Sequence, residues 1–340
     1  MTQTAKARPW RTIFRYIIPL IISVGLCYLL FTGVDFRQMW DKMGQCDFWW
    51  IGASLALSVF AQIFRAVRWR MQLRALGIDP PLHAMICSIF GTYAVNLVFP
   101  RLGEVWRTGY IAQRQQAPFA EVFGSMVADR LADTVTVFLM TVAVFLLARD
   151  AIVTYMIEIE IYDRIQALIS SPWLWIIGLL LVAGLVCFLH FRRHTPLVQR
   201  LRNLYLGLWE GFAGIMKMPR KGIWLLFTVL IWGSYFVEMW LAFYSFRETS
   251  DYVAAHGILA VFVTFIFGSL AMGVPANGGI GPWQWAVMIA ITNVYGIMNR
   301  TDALAFANVV LGTQTILMIL LGLYTFIAIA LDKRHNSRMQ

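Results

Sequence analysis

Three ionisable residues interrupt an apolar stretch in the first half of the chain. Asp129, Arg130 and Asp133 fall inside the run from Gly124 to Ala148, which is otherwise dominated by hydrophobic side chains. An ionised side chain at the centre of a bilayer costs roughly 2.5–3.5 kcal/mol, so such residues usually pair or line a polar pathway. The i, i+4 spacing places Asp129 and Asp133 on one helix face. Two interpretations stay open: an Asp129–Arg130 pair, or carboxylates that contact an amine or relay protons.

A polar segment broken by proline and glycine follows the apolar run from Leu82 to Val98. Pro100 ends one helix and Gly103 permits a tight turn, so freed backbone groups can face a polar ligand. The side chains that would take part are Asn96, Arg101, Glu104 and Arg107. The alternative is a cytoplasmic loop whose arginines only set the orientation of the chain in the membrane.

A second broken segment is rich in glycine. It contains Pro275, Asn277, Gly278, Gly279 and Gly281. Glycines between prolines permit positive φ angles and close backbone approach, as an anion or headgroup site lined by backbone dipoles requires. The alternative is an external loop between two short helices.

Arginines also cluster at the end of the apolar run from Phe48 to Phe64. Arg65 and Arg68, beside Trp69, are typical of an anchor on the cytoplasmic face of a membrane. The functional alternative is docking of an anionic lipid headgroup, to which each juxtamembrane cation contributes about 1 kcal/mol.

Glu238 is the isolated acid of a later apolar run, from Ile223 to Phe246. We expect it in the outer half of the membrane, with Asp133 in the inner half, so that polar groups stand on both sides of the midplane. The histidines and the four cysteines are scattered without metal-ligand spacing, so we expect no metal and no cofactor.

The composition identifies the class of protein that must position these residues. The chain has 340 residues, 59% of them hydrophobic and 14% charged, and its mean hydropathy is +0.66. A soluble domain carries about 25% charged residues, so the chain is predicted to be integral to a membrane. The formal net charge of +10 then reports orientation, since Lys and Arg concentrate on cytoplasmic segments, and does not indicate nucleic-acid binding.

Apolar runs near 20 residues predict the membrane spans. Six such runs are Tyr16 to Gly33, Phe48 to Phe64, Gly124 to Ala148, Trp173 to Phe191, Ile223 to Phe246, and Ala303 to Leu331. The two broken regions, the first starting at Leu82 and the second from Gly257 to Gly296, are predicted to be re-entrant hairpins of opposite orientation. This all-α, polytopic arrangement places most positive charges and both termini in the cytoplasm.

The same arrangement divides the single membrane domain, residues 1–340, into two inverted repeats. Residues 1–47 form an anchor helix and external loop, and 48–148 the first repeat. Residues 149–222 form an external loop, a linking helix and a cytoplasmic amphipathic helix; 223–331 form the second repeat, and 332–340 a cytoplasmic tail. Inverted repeats with broken helices near the midplane are the architecture of many secondary transporters.

The motifs around Arg65, Asn96, Asp129 and Pro275, in that order, resemble the lysylphosphatidylglycerol synthase transmembrane-region family. This flippase-like domain is found in the multiple peptide resistance factor, and the resemblance runs from about Arg11 to Leu331. The family's usual glutamate after the second glycine-rich turn is absent, since Pro282, Trp283 and Gln284 stand there. The resemblance implies a lipid-translocating domain. Full-length relatives carry a soluble C-terminal aminoacyl-transfer domain, and because the chain ends nine residues after Leu331 we expect no such activity.

The leading hypothesis is a flippase-like protein of the bacterial cytoplasmic membrane that translocates a phospholipid or another lipid-linked substrate. Arginines of the first hairpin and Arg130 would contact phosphate, while Glu104, Asp129, Asp133 and Glu238 would contact an amine or relay protons. The expected partners are anionic or aminoacylated phospholipids, and a homo-oligomer is also open. Two alternatives are a membrane-embedded enzyme with Glu104 or Asp133 as general base, and a non-catalytic partner of a separate synthase.

Overall fold

A computed structural model describes residues 36–99, 101–191, 199, 209, 218, 220–274, 276–296 and 298–338. The predicted first span, Tyr16 to Gly33, and most of the predicted amphipathic helix lie outside the described residues. Pro100 and Pro275 also lie outside them.

The described part of the chain is helical and contains no strand. In chain order the helices are α1 (Phe36–Gly44), α2 (Phe48–Ala75), α3 (Leu82–Val98), α4 (Leu102–Gln115), α5 (Phe119–Leu147), α6 (Arg149–Glu158), α7 (Ile161–Ser170), α8 (Pro172–Phe191), α9 (Lys221–Phe243), α10 (Arg247–Ala271), α11 (Pro282–Ile289) and α12 (Arg300–Arg338). A 3₁₀ turn, Asn277–Gly279, precedes α11, and a π-helical turn, Ala290–Val294, follows it.

Five of the described helices are long and apolar enough to cross a membrane: α2, α5, α9, α10 and α12. The protein is therefore a multi-pass membrane protein, as its composition predicts. Four of the five contain runs that the sequence identified as spans. The fifth, α10, begins ten residues before the region assigned to the second hairpin, and Gly257 breaks it internally with φ 72° and ψ −171°.

Two predictions about where the chain is helical are wrong. The run predicted to end at Phe64 continues as helix to Ala75, so the arginines that follow it belong to α2. The segment from Arg149 to Ser171, predicted as an external loop, forms the short helices α6 and α7. Ile152 of α6 is buried in the hydrophobic core, and burial of such side chains favours helix here.

Helices α3 and α4 form one hairpin, and α10 and α11 form another. In the first, Gly91 of α3 lies directly against the ring of Trp106, and in the second Gly268 of α10 lies against Trp283. Each glycine admits an indole where a side chain would overlap it. Helix α2 packs along α9 between the hairpins, while α12 packs against α3.

Candidate functional site

The centre of the site is a set of ion pairs where α2 crosses α5. Arg68 donates from Nε and Nη2 to Asp129 Oδ1, at 3.0 and 2.7 Å, and from Nη2 to Asp133 Oδ1 at 2.7 Å. Arg65 Nη1 donates to Asp133 Oδ2 at 2.6 Å. Arg68 and Asp129 are fully buried. The i, i+4 carboxylates therefore share one helix face, as predicted, and both face the arginines of α2.

Two interpretations of these residues are wrong. Arg65 and Arg68 are not anchors at the membrane surface, because both are buried in ion pairs within the bundle. Asp129 does not pair with Arg130, whose Nη2 instead donates to Glu104 Oε1 of α4 at 2.9 Å. Neighbouring residues of a helix point about 100° apart, so Asp129 faces α2 while Arg130 faces the hairpin.

The turn of the first hairpin is held by side chains that the sequence singled out. The Gly103 N–H donates to Asn96 Oδ1 at 2.8 Å, and Asn96 Nδ2 donates to Glu104 Oε2 at 3.3 Å. Arg101 adopts a left-handed conformation with φ 64° and donates from Nη2 to the carbonyl of Gly273 at 2.6 Å. Arg101 thus joins the two hairpin turns, and its guanidinium takes no part in the ion pairs between α2 and α5.

The turn of the second hairpin uses its glycines as predicted, since Gly278, Gly279 and Gly281 all have positive φ angles. Asn277 opens the 3₁₀ turn, and its carbonyl accepts from the Ile280 N–H. Gly278 lies against Leu97 of the first hairpin, so any side chain there would overlap the leucine. The proposed anion-binding role of this turn stays a prediction.

Gln284, at the position where the resemblance leads one to expect glutamate, holds the second turn in place. Its Oε1 accepts the Gly281 N–H at 2.9 Å, and its Nε2 donates to Asn308 of α12. An amide can accept and donate at the same time, which a carboxylate cannot. Gln284 therefore ties the second turn to α12, a function that the sequence did not reveal.

Arg107 is the unusual member of the cluster. Its side chain is fully buried, and its guanidinium lies 4.5 Å above the ring of Trp69. Its nearest carboxylate oxygen among the described residues, Asp129 Oδ2, is 3.8 Å from Nη2, and none of its three nitrogens has a hydrogen-bond partner in this part of the chain. Buried donors in native proteins are nearly always satisfied, so an acceptor is missing from this arrangement.

These side chains, four arginines and three carboxylates, are named the ionic cluster: Arg65, Arg68, Arg107, Arg130, Glu104, Asp129 and Asp133. Its formal charge is +1 in a low-dielectric interior, where an uncompensated charge is expensive. An anion beside Arg107 would neutralise it and accept its hydrogen bonds. A phosphate group has both properties.

Helix α9 completes the cluster with residues that the sequence did not single out. Thr228 accepts from Arg68 Nη1 at 3.2 Å, and the Arg68 guanidinium lies 5.6 Å from the ring of Trp224. Arg65 lies 5.9 Å from the ring of Tyr235. A signal for this face existed in the buried polar residues of α2, which recur every three or four positions.

Glu238 lies apart from the ionic cluster. It contacts the hydroxyl of Ser58 on α2, two helical turns from Arg65. Glu238 and Asp133 are therefore separate polar stations, and the structure does not bring them together.

An apolar groove of about 500 Å³ runs beside the first hairpin. Its walls include Val98, Val105 and Trp106 of the hairpin and Phe326 of α12. The groove has the chemistry of a site for a hydrocarbon chain. Within the described residues, no group of three or more His, Cys, Asp or Glu side chains is arranged to hold a metal ion.

Comparison with known proteins identifies the family. A segment of 119 residues is 27% identical to "Glycosyltransferase AglD" of Haloferax volcanii, covering 35% of this chain and 19% of the relative. The match thus spans about a fifth of the length of that protein. No solved structure matches the chain. The family described as "Lysylphosphatidylglycerol synthase TM region" matches residues 16–322, so the chain belongs to the lysylphosphatidylglycerol synthase TM region family.

Proposed function

We propose that the protein is a flippase-like transporter that moves a phospholipid, or another lipid-linked substrate with an anionic headgroup, between membrane leaflets. The observation that carries the proposal is Arg107, a fully buried guanidinium without a hydrogen-bond partner in a cluster of net positive charge. A headgroup phosphate would supply the missing acceptor and the missing negative charge. The acyl chains would lie in the groove beside the first hairpin.

The residues of the ionic cluster have different roles in this proposal. Arg107 and Arg130 face the substrate, with Glu104 and Asn96 orienting Arg130. Asp129 and Asp133 hold the α2 arginines, so their part is to position these cations. Three of their four carboxylate oxygens accept hydrogen bonds from these arginines, and Asp129 Oδ2 has no hydrogen-bond partner among the described residues.

The architecture that suits this function is a pair of oppositely oriented re-entrant hairpins within an inverted repeat. Three observations support it. The Gly–Trp contacts join residues fifteen positions apart in both hairpins. The part of α10 after Gly257 is about 21 Å long at 1.5 Å per residue, too short to cross about 30 Å of hydrocarbon. Arg101 and Gly278 bring the two turns into contact.

The remaining assignments belong to the same proposal. The protein resides in a bacterial cytoplasmic membrane with both termini in the cytoplasm, spans it six times, and acts on anionic or aminoacylated phospholipid without transferring aminoacyl groups. Incubation of the purified protein with charged tRNA and phosphatidylglycerol tests the last point, and formation of an aminoacylated lipid would contradict it.

Reconstitution tests the transport function directly. Purified protein in phosphatidylglycerol-containing vesicles should accelerate exchange of a fluorescent phospholipid between leaflets. Arg107→Met should slow that exchange about tenfold or more, because a hydrogen bond to a charged group contributes about 1.5–3 kcal/mol. Methionine keeps an unbranched apolar stem in place of the guanidinium, and its thioether suits a position beside an aromatic ring such as Trp69, so the variant should fold.

The matched control is Arg74→Met, which removes a half-exposed arginine from the end of α2. It should exchange lipid at the wild-type rate. Absence of exchange by the wild-type protein, or equal rates for both variants, would overturn the proposed roles.

A second candidate is a membrane-embedded enzyme that acts on a lipid-linked substrate. The observation that favours it is the partial similarity to a protein named as a glycosyltransferase. In that case the purified protein would convert a lipid-linked sugar donor or acceptor to product, and Glu104→Gln would abolish the conversion. A non-catalytic role would instead show as co-purification with a separate synthase and no lipid exchange by the isolated protein.

A further inference from the structure

One face of α2 carries a buried polar stripe that runs along almost the whole helix. Its members are Ser54, Ser58, Gln62, Arg65, Arg68 and Gln72, each no more than 3% exposed. From first to last the stripe is about 27 Å long, close to the thickness of the hydrocarbon core. The ionic cluster occupies only the part around the arginines, and the serine and glutamine part is left without a role.

Glu238 of α9 lies against that unassigned part. The hydroxyl of Ser58 contacts its carboxyl group, and Gln314 of α12 donates from Nε2 to Ser58 Oγ at 2.6 Å. Ser58 is fully buried. The amide oxygens of Gln62 and Gln314 are buried and have no hydrogen-bond partner among the residues that the structure describes. A chain of polar groups therefore joins α9, α2 and α12 through one serine.

Among the described residues, no cation forms an ion pair with Glu238, and Ser58 is the polar side chain that interacts with its carboxyl group. The other carboxylates near the membrane core are each held by arginine: Glu104, Asp129 and Asp133. An isolated carboxylate in apolar surroundings is expensive when ionised and cheap when it carries a proton.

The titratable groups on the packed helices are engaged elsewhere. On α2 the nearest is Arg65, held by Asp133; on α9 it is Tyr235, beside the Arg65 guanidinium. On α10 all such groups precede Gly257, and Glu248 among them is paired with Lys42. The remaining charged or titratable side chains of these helices, of the residue directly after α9, and of α12 as far as Asp332 are Arg68, Arg70, Arg74, Lys221, Tyr244, Arg247, Asp251, Tyr252, His256, Arg300, Asp302, Tyr324 and Asp332.

We propose that Glu238 is the proton-binding site that couples lipid movement to a proton gradient. The inference rests on the proposed transport function and names what drives it. When Glu238 carries its proton, Ser58 and Gln314 can close α9, α2 and α12 around it. When the proton leaves, the carboxylate must gain water or a cation, and these helices separate. Because α12 packs against α3 of the first hairpin, this separation reaches the ionic cluster.

Transport in vesicles with imposed pH gradients tests the coupling. The wild-type rate of lipid exchange should change about tenfold with the direction of the gradient. Glu238→Gln, which mimics the protonated form, should exchange lipid at one rate irrespective of the gradient. Glu248→Gln, a matched change in an acid at the start of α10, should keep the wild-type response. A response that follows a Na⁺ gradient, or an unchanged response in Glu238→Gln, would overturn the proposal.

An infrared measurement tests the proton site without relying on transport. The difference spectrum between acidic and alkaline pH should contain the carbonyl stretch of a protonated carboxylic acid in apolar surroundings. That band should be absent from Glu238→Gln, shifted in Ser58→Ala and present in Glu248→Gln. If the wild-type protein moved no lipid, the proposed function would fail while this band still decided the proton site. If Glu238→Gln kept the band, the inference would fail even with full transport.

Discussion

Both hairpins are closed by a contact between a glycine and a tryptophan, but the two halves of the chain bury different kinds of side chain. Gly91 with Trp106 in the first, and Gly268 with Trp283 in the second, form equivalent contacts. Gly268 follows Gly91 by the same number of residues as Trp283 follows Trp106. Phe306 follows Asp129 by that number as well. Asp129 lies in the ionic cluster, whereas the ring of Phe306 packs 4.8 Å from that of Phe243.

The difference shows which part of the architecture serves the fold and which serves function. The second half buries four aromatic side chains, here named the aromatic cluster, each 5% exposed or less: Phe243, Phe246, Tyr252 and Phe306. Apolar packing is therefore sufficient to hold this arrangement of helices. Buried ion pairs often contribute less stability than apolar replacements, so the charges of the first half are retained for another purpose. Substrate binding in the proposed transport function would give these charges such a purpose.

The largest effect should come from breaking the ionic cluster. Asp129→Asn removes the charge that Arg68 requires and leaves a buried guanidinium without its main partner. Loss of one partner of a buried pair costs about 3–5 kcal/mol. The loss is measured as the difference in the free energy of unfolding between Asp129→Asn and the wild type in mixed detergent micelles.

Phe306→Leu is the matched change in the aromatic cluster, and it should cost less than about 1.5 kcal/mol because most of the apolar volume stays. Equal losses of unfolding free energy in Asp129→Asn and Phe306→Leu would show that the ionic cluster is no more costly to break than the aromatic cluster.

A smaller effect is expected from the contacts that the hairpins share. Alanine at Gly91 would overlap the Trp106 ring and lie 3.1 Å from Thr325 Cγ2. Alanine at Gly268 would lie 2.8 Å from Trp283 Nε1 and 3.3 Å from Cδ1 of the same ring. Overpacking of this kind costs about 1–3 kcal/mol, so both variants should lose stability, with Gly91→Ala the worse.

Thermal unfolding of the two variants side by side measures the difference. Gly109→Ala, at a site with open space around it, is the control and should not destabilise the protein. If Gly91→Ala or Gly268→Ala had the melting temperature of the wild type, the glycine–tryptophan contacts of the hairpins would not contribute to the stability of the fold.

The sequence predicted the membrane class, the family and the apolar cores of the spans, because these depend on composition and local hydropathy. It did not predict which charges pair. Hydropathy predicted that the helix ends at Phe64, where the arginines begin. The acids that pair with these arginines lie on another helix, so the chain around Phe64 gives no sign of them. Adjacency suggested Asp129 with Arg130, although neighbouring residues on a helix diverge. That Arg107 lacks a hydrogen-bond partner follows from three-dimensional packing alone and leaves no local signal.

The smallest effect should come from charges of the same half that face water. Asp79, exposed after α2, pairs with Arg74 and Arg70. Hydrogen bonding from Arg74 is the main cause that lowers its pKa below the ordinary 3.8. A group whose folded pKa is lowered stabilises the protein above its unfolded pKa, and this contribution disappears as pH falls through the folded value.

Asp79→Asn should therefore shift the melting temperature slightly and equally between about pH 5 and about pH 8, and the difference from wild type should shrink as pH falls below about 4 and vanish only below the lowered pKa of Asp79. Melting curves across that range measure it, with Asp129→Asn alongside as the buried counterpart. Since Asp79 is exposed and its arginines can reach water, their charges need no partner to remain in place. A loss for Asp79→Asn as large as that for Asp129→Asn would mean that burial is not what makes the ionic cluster costly to break.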